Sequence, residues 1–246
     1  MAAGGKQQHP AIAARPLALA VAVVVLVLSA CRPPPVARQP VAAERGAAGA
    51  SLFRVVSGAS TLRFYLHADG PMARVGHNHV ISAHGLEGEV WLQPQPEQST
   101  CQLRLPVAAF VVDDPGERAT AGGEFAEPLA AADRDGTYTH MVGDRQLDAA
   151  HFPVITLRCL RLTPTPAGMS LQLAITLRDH ETKLTVPLQW QQQGGTLQVS
   201  GEFSFRQTEL GFEPYSLLFG ALRVADEIHA RFALVARQAS TAAATP

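Results

Sequence analysis

The sequence predicts an all-β domain, a sandwich or a closed barrel, over residues 51–236. Two observations carry that prediction. Successive stretches alternate apolar and polar residues with period two, and short turn-forming segments separate them. The first stretches are SLFRVV (51–56) and TLRFYLHA (61–68). The second places Leu62, Phe64 and Leu66 on one face and Arg63, Tyr65 and His67 on the other. In GLEGEVWLQP (85–94), Leu86, Val90 and Leu92 oppose Glu87, Glu89 and Trp91. The turn PQPEQS precedes QLRLPVAAFVVD (102–113). VITLRCLRLT (154–163), SLQLAITLRD (170–179) and KLTVPLQWQQ (183–192) follow, separated by PTPAG and HET. After a Gly-Gly turn come TLQVSGEFSFRQ (196–207) and, last, EIHARFALVA (227–236). Residues 114–152 break the pattern. Too long for a simple loop and rich in Ala and charge, they predict helical turns packed as an excursion over the sheet or a barrel mouth.

The N-terminus has a different character. Residues 1–16 carry Lys6 and Arg15 and no acid, and Leu17–Ala30 is an unbroken apolar or small run. Fourteen residues are short for a membrane span but suit the apolar region of an export signal. The run ends Leu28-Ser29-Ala30-Cys31, which resembles the lipobox of bacterial lipoproteins. The resemblance implies cleavage after residue 30, lipidation of Cys31 and attachment to the membrane through that lipid. Arg32 stands where an aspartate usually retains such proteins at the inner membrane, so the expected location is the outer membrane, facing the periplasm. Residues 31–50, Pro- and Ala-rich, read as a tether, and residues 237–246 as a disordered tail.

Charge narrows the partners. The chain has 20 basic and 21 acidic residues, and without Lys6 and Arg15 the mature part has 18 against 21, a net charge of −3. With no basic stripe, nucleic acid is not an expected partner. Cys101 shares parity with Leu103 and Leu105, and Cys159 with Ile155 and Leu157, so both face inward on strands. In an oxidising compartment they form a disulfide if their strands are neighbours; otherwise they are two buried thiols.

Four segments together resemble the YceI-like family of periplasmic lipid-binding proteins. Asp148-Ala-Ala-His-Phe-Pro-Val-Ile-Thr-Leu157 resembles the family's run from a helix into a strand. Leu173–Leu188, LAITLRDHETKLTVPL, resembles its strand–turn–strand unit, although Asp179–Thr182 lacks the family's turn glycine. Phe203–Phe212 resembles a late strand, and Gly220–His229 the approach to the closing strand. The ordered set covers roughly residues 51–236. The resemblance implies a single elongated antiparallel, lipocalin-like β-barrel enclosing a long polyisoprenoid-type lipid. The expected lining is Leu62, Phe64, Leu66, Leu103, Leu105, Ile155, Leu157, Leu173, Ile175, Leu177, Phe203 and Phe205. Periodicity alone leaves open whether these rows pack on each other or surround a cavity.

RVGHNHVISAH (74–84) raises a second reading. In an extended chain, His77 and His79 lie on one face about 6.6 Å apart, a spacing that two metal ligands can use. His84 is a third candidate if a bulge corrects its parity, and His67 a fourth if a hairpin forms around Asp69-Gly70-Pro71. Such imidazoles would suit Zn²⁺ or Cu²⁺. The missing ligand inventory favours a polar rim at the barrel mouth, leaving an envelope metal-binding protein as the alternative. No Gly-x-Ser-x-Gly, phosphate loop or paired carboxylate on a helix points to an enzyme. Asp113-Asp114 before Pro115 reads as a turn, and Asp226-Glu227 as a salt-bridging start to the last strand. A purely adhesive β-domain is the third reading, and no protein partner is implied. The expected resident group is therefore the lipid alone, with no cofactor.

Overall fold

The computed structural model describes residues 49–239. The export signal, Cys31, the tether as far as residue 48 and the tail from residue 240 lie outside them. The strands are β1 (Ser51–Val55), β2 (Thr61–Leu66), β3 (Ala68–Asp69), β4 (His79–Ala83), β5 (Glu87–Leu92), β6 (Thr100–Pro106) and β7 (Phe110–Val112). Helices α1 (Pro115–Ala121) and α2 (Ala131–Val142) follow. The chain continues through β8 (Val154–Thr165), β9 (Gly168–Leu177), β10 (His180–Gln193), β11 (Thr196–Arg206), β12 (Ser216–Leu217), β13 (Leu222–Val224) and β14 (Glu227–Gln238).

These strands close into an antiparallel barrel of eight staves. Three staves are interrupted strands: β1 with β2, β4 with β5, and β6 with β7. β1 and β2 lie end to end along β14, where Val55 faces Ala236 and Thr61 faces Ala233. β5 pairs with β1 while β4 pairs with β2, so the interruptions in neighbouring staves are in step. The predicted strand 102–113 is broken by a 3-10 turn at Val107–Ala109 for the same reason. From β8 to β11 the staves are long hairpins joined by tight turns, and β14 closes the ring by pairing with β11 on one side and β1 and β2 on the other. The ladders run from β1 round to β14 and back to β1, and beyond β2 and β4 the short β7 pairs with β4.

Local sequence explains the special points. At Gly88, φ is 138°, and an added Cβ would lie 2.2 Å from the Gln102 carbonyl oxygen, so only glycine lets β5 approach β6. In the β9–β10 turn, where the family pattern has a glycine nearby, Arg178 itself takes φ 56°. A bulge between Cys159 and Arg161 in β8 resets parity, which turns Leu162 inward after Leu157 and Cys159.

The excursion is more regular than its sequence suggested. Asp114 caps α1, its carboxylate accepting from the Gly116 and Glu117 amides, with Pro115 at the first helical position. In α2, Tyr138, Met141 and Val142 pack against the barrel core. Asp226 does not start a strand with a salt bridge. It accepts hydrogen bonds from the Thr208 amide and hydroxyl and pins the 207–210 turn.

Candidate functional site

The inward rows of the staves do not fill the barrel. They surround a cavity of about 330 Å³. Its size falls at the lower end of ligand pockets, roughly 300–1,000 Å³. From β2 the wall receives Leu62, Phe64 and Leu66; from β6, Leu103 and Leu105; from β8, Ile155 and Leu157. β9 contributes Leu173, Ile175 and Leu177, and β11 contributes Phe203 and Phe205. Period two explains the arrangement, because alternate residues of a barrel strand face the lumen.

Six of these twelve (Leu62, Phe64, Leu66, Leu157, Leu173 and Phe203) point inward yet keep accessible surface. A filled core would have buried them. Phenylalanine rings form a continuous row on one side: Phe110, Phe64, Phe205, Phe203 and Phe232 follow at centroid spacings of 6.2, 6.3, 5.9 and 6.4 Å. Sequence reasoning missed other parts of the wall, notably Leu184, Val186, Leu188 and Trp190 of β10. Their alternation in KLTVPLQWQQ was the available signal.

Of the few polar side chains on the wall, three are bonded to backbone groups. Ser99 Oγ accepts from the Gln93 amide, Gln146 Nε2 donates to the Glu213 carbonyl, and Gln207 Nε2 donates to the Ala225 carbonyl. No buried charge reaches the cavity among the described residues, so it offers a ligand apolar contact and little orienting polarity. Cys101 and Cys159 lie on this wall, on neighbouring strands, and are joined in a disulfide with a Cα–Cα distance of 4.9 Å.

The histidine segment behaves differently. The β2–β4 hairpin forms, with Leu66 facing His79. It does not gather the four histidines around one point. The His77 and His79 rings are 6.5 Å apart. His79 Nδ1 pairs with Asp113 Oδ2 at 2.6 Å, and His67 Nε2 pairs with Glu124 Oε1 at 3.1 Å. His84 lies beyond the far end of β4 and is exposed. Among the described residues no group of three potential ligands converges.

What the segment does instead is hold α1. Asp113 is fully buried with φ 52°, and its Oδ1 accepts from the Val80 amide at 2.8 Å and Arg118 Nη1 at 2.6 Å. Arg118 also donates to the Asn78 and Glu127 carbonyls. Burial pushes the Asp113 carboxyl upward, but the His79, Val80 and Arg118 bonds outweigh it and hold the group below the usual carboxylate range. Asp113 is thus a buried anchor rather than a surface turn residue. The Asp-Asp-Pro signal pointed to the helix cap at Asp114 but not to its neighbour's burial.

The YceI-like domain model matches residues 53–236. Among solved structures, BcnA of Burkholderia cenocepacia is similar with a TM-score of 0.53 at 17% identity, covering 74% of this chain and 98% of that one. A polyisoprenoid binding domain from Saccharophagus degradans gives 0.49 at 11% identity, with coverages of 76% and 98%. The Campylobacter jejuni YceI protein gives 0.48 at 8% identity, with coverages of 65% and 85%. No curated protein matches the chain.

Proposed function

Since the chain belongs to the YceI-like domain family, we propose that it binds a long apolar lipid of polyisoprenoid type inside its barrel, as a lipoprotein of the bacterial envelope. The open apolar lumen carries this reading. A prenyl chain in water exposes its whole hydrocarbon surface, and burial returns about 25 cal/mol per Å² before ordering costs. The lumen supplies that burial from staves whose backbone groups are largely spent in the ladders of a ring closed through β1 and β14.

Two features support the envelope setting. The Cys101–Cys159 disulfide suits an oxidising compartment. The Leu28-Ser29-Ala30-Cys31 sequence suits lipidation at Cys31 and attachment to the outer membrane, with residues 32–50 between anchor and barrel.

Trp190 on the wall offers a direct test. Titrating the purified chain with a polyprenol should change Trp190 emission saturably, and Trp190→Phe should abolish most of the change while leaving binding measurable by competition. Filling the lumen with Leu173→Trp together with Ile175→Trp should remove binding while the β-sheet spectrum persists. Undiminished binding by that filled barrel would place the lipid elsewhere and sink the reading.

A further inference from the structure

The described surface gathers its exposed apolar residues at one place. Of six large ones, five (Met72, Val75, Leu217, Leu218 and Phe219) belong to the connections after β3 and around β12. Phe219 is fully exposed, and Val75 and Leu218 are 65% and 59% exposed. The two connections form one platform. β3 pairs with β13 and β13 with β12; the Met72 amide donates to the Ala221 carbonyl at 2.9 Å; and Arg223 holds Asp69 at 2.7 Å. Leu218 and Phe219 take φ of 51° and 57°, conformations that disfavour side chains of their kind. A folded chain that holds two such residues out in water carries both backbone strain and unburied apolar surface, a combination expected at a working contact.

The platform lies at the barrel end where Leu66, Leu210 and Phe212 belong to the cavity wall. Arg74 stands exposed between Met72 and Val75 and has no ionic partner among the described residues. We propose that this platform docks on a lipid bilayer bearing anionic headgroups, with Leu218 and Phe219 among the acyl chains and Arg74 at the phosphates. The inference rests on the lipid-carrier reading, since it presents one end of the lumen to the membrane that holds the cargo. A few apolar tips beside an exposed cation fit a bilayer interface. A stable protein contact needs a broader face, about 800 Å² per partner. Chain length permits the contact. Ser51 starts at the opposite end of the barrel, but the 20 residues from Cys31 to Ala50 reach at most roughly 66–72 Å, beyond the roughly 46 Å of the 14-residue β10.

The test places a tryptophan at each end of the full exported chain, as Phe219→Trp and, in the exposed β8–β9 turn, Ala167→Trp. Both are measured on vesicles of phosphatidylethanolamine and phosphatidylglycerol with acyl-brominated lipid. The added emission at 219 should shift to the blue and lose intensity to bromine, that at 167 should do neither, and Arg74→Glu should relieve the quenching. No quenching at 219, or equal quenching at 167, would overturn docking at this end. A blue shift at 219 without bromine quenching would mark a protein contact and overturn it equally. A chain that carries lipid by native mass yet shows no quenching at 219 loses the docking inference alone. Quenching on a chain with an empty lumen loses the carrier reading alone.

Discussion

Asp113 is a fully buried carboxylate with three hydrogen-bonding partners. Its carboxylate is shared by a buried guanidinium, a partly buried imidazole and a backbone amide. Removing one partner leaves the other charge buried and uncompensated, which costs about 3–5 kcal/mol. Arg118→Leu should therefore lower unfolding stability by that order in urea titration, and release α1 from Asn78 and Glu127 as well. The pH dependence follows from the direction of the shift. A carboxyl held below its unfolded value of about 3.9 stabilises fully above that pH, and the stabilisation fades as pH falls through the folded-state value. Asp113→Asn should flatten the acid limb of the stability curve below about pH 4. None of this was legible in the sequence. Parity and turn chemistry see a residue's neighbours along the chain, whereas Asp113 is defined by partners 33, 34 and 5 positions away.

At the scale of elements, the long hairpins from β8 to β11 were the most legible part, because their inward and outward rows differ in every second residue. The staves of the first half were harder. Their interruptions at 56–60, 84–86 and 107–109 arise where neighbouring strands bend together, which is a tertiary event. The disulfide lies between the two cases. Parity placed both cysteines inward, and the register that sets Gln102 against Arg158 brings Cys101 opposite Cys159. That bridge closes a 58-residue separation, worth up to about 4 kcal/mol by loop entropy. A Cys101→Ala/Cys159→Ala chain should unfold at correspondingly lower denaturant with its sheet spectrum intact when folded. Gly88→Ala should be costlier than its small size suggests, since β6 would have to move away. Hydrogen exchange should show the loss confined first to the β5–β6 ladder.

For the molecule as a whole, the decisive property is that an eight-stave ring of inward Leu, Ile, Val and Phe remains open at its centre. Which rows face the lumen could be read residue by residue from the sequence. Whether the lumen is open could not, because openness depends on how far apart opposite walls stand, and no pattern along one strand encodes that distance. The histidine cluster illustrates the converse. Its spacing invited a metal, and the fold directs His79 to Asp113 and His67 to Glu124. Native mass spectrometry of the exported chain, purified without denaturant, reads directly whether the lumen carries an apolar lipid. An excess mass released by organic solvent and identified as a prenyl lipid is the expected result, and it should vanish in the Leu173→Trp/Ile175→Trp barrel. A chain that emerges at its bare mass, and stays so after incubation with polyprenol, would contradict lipid carriage.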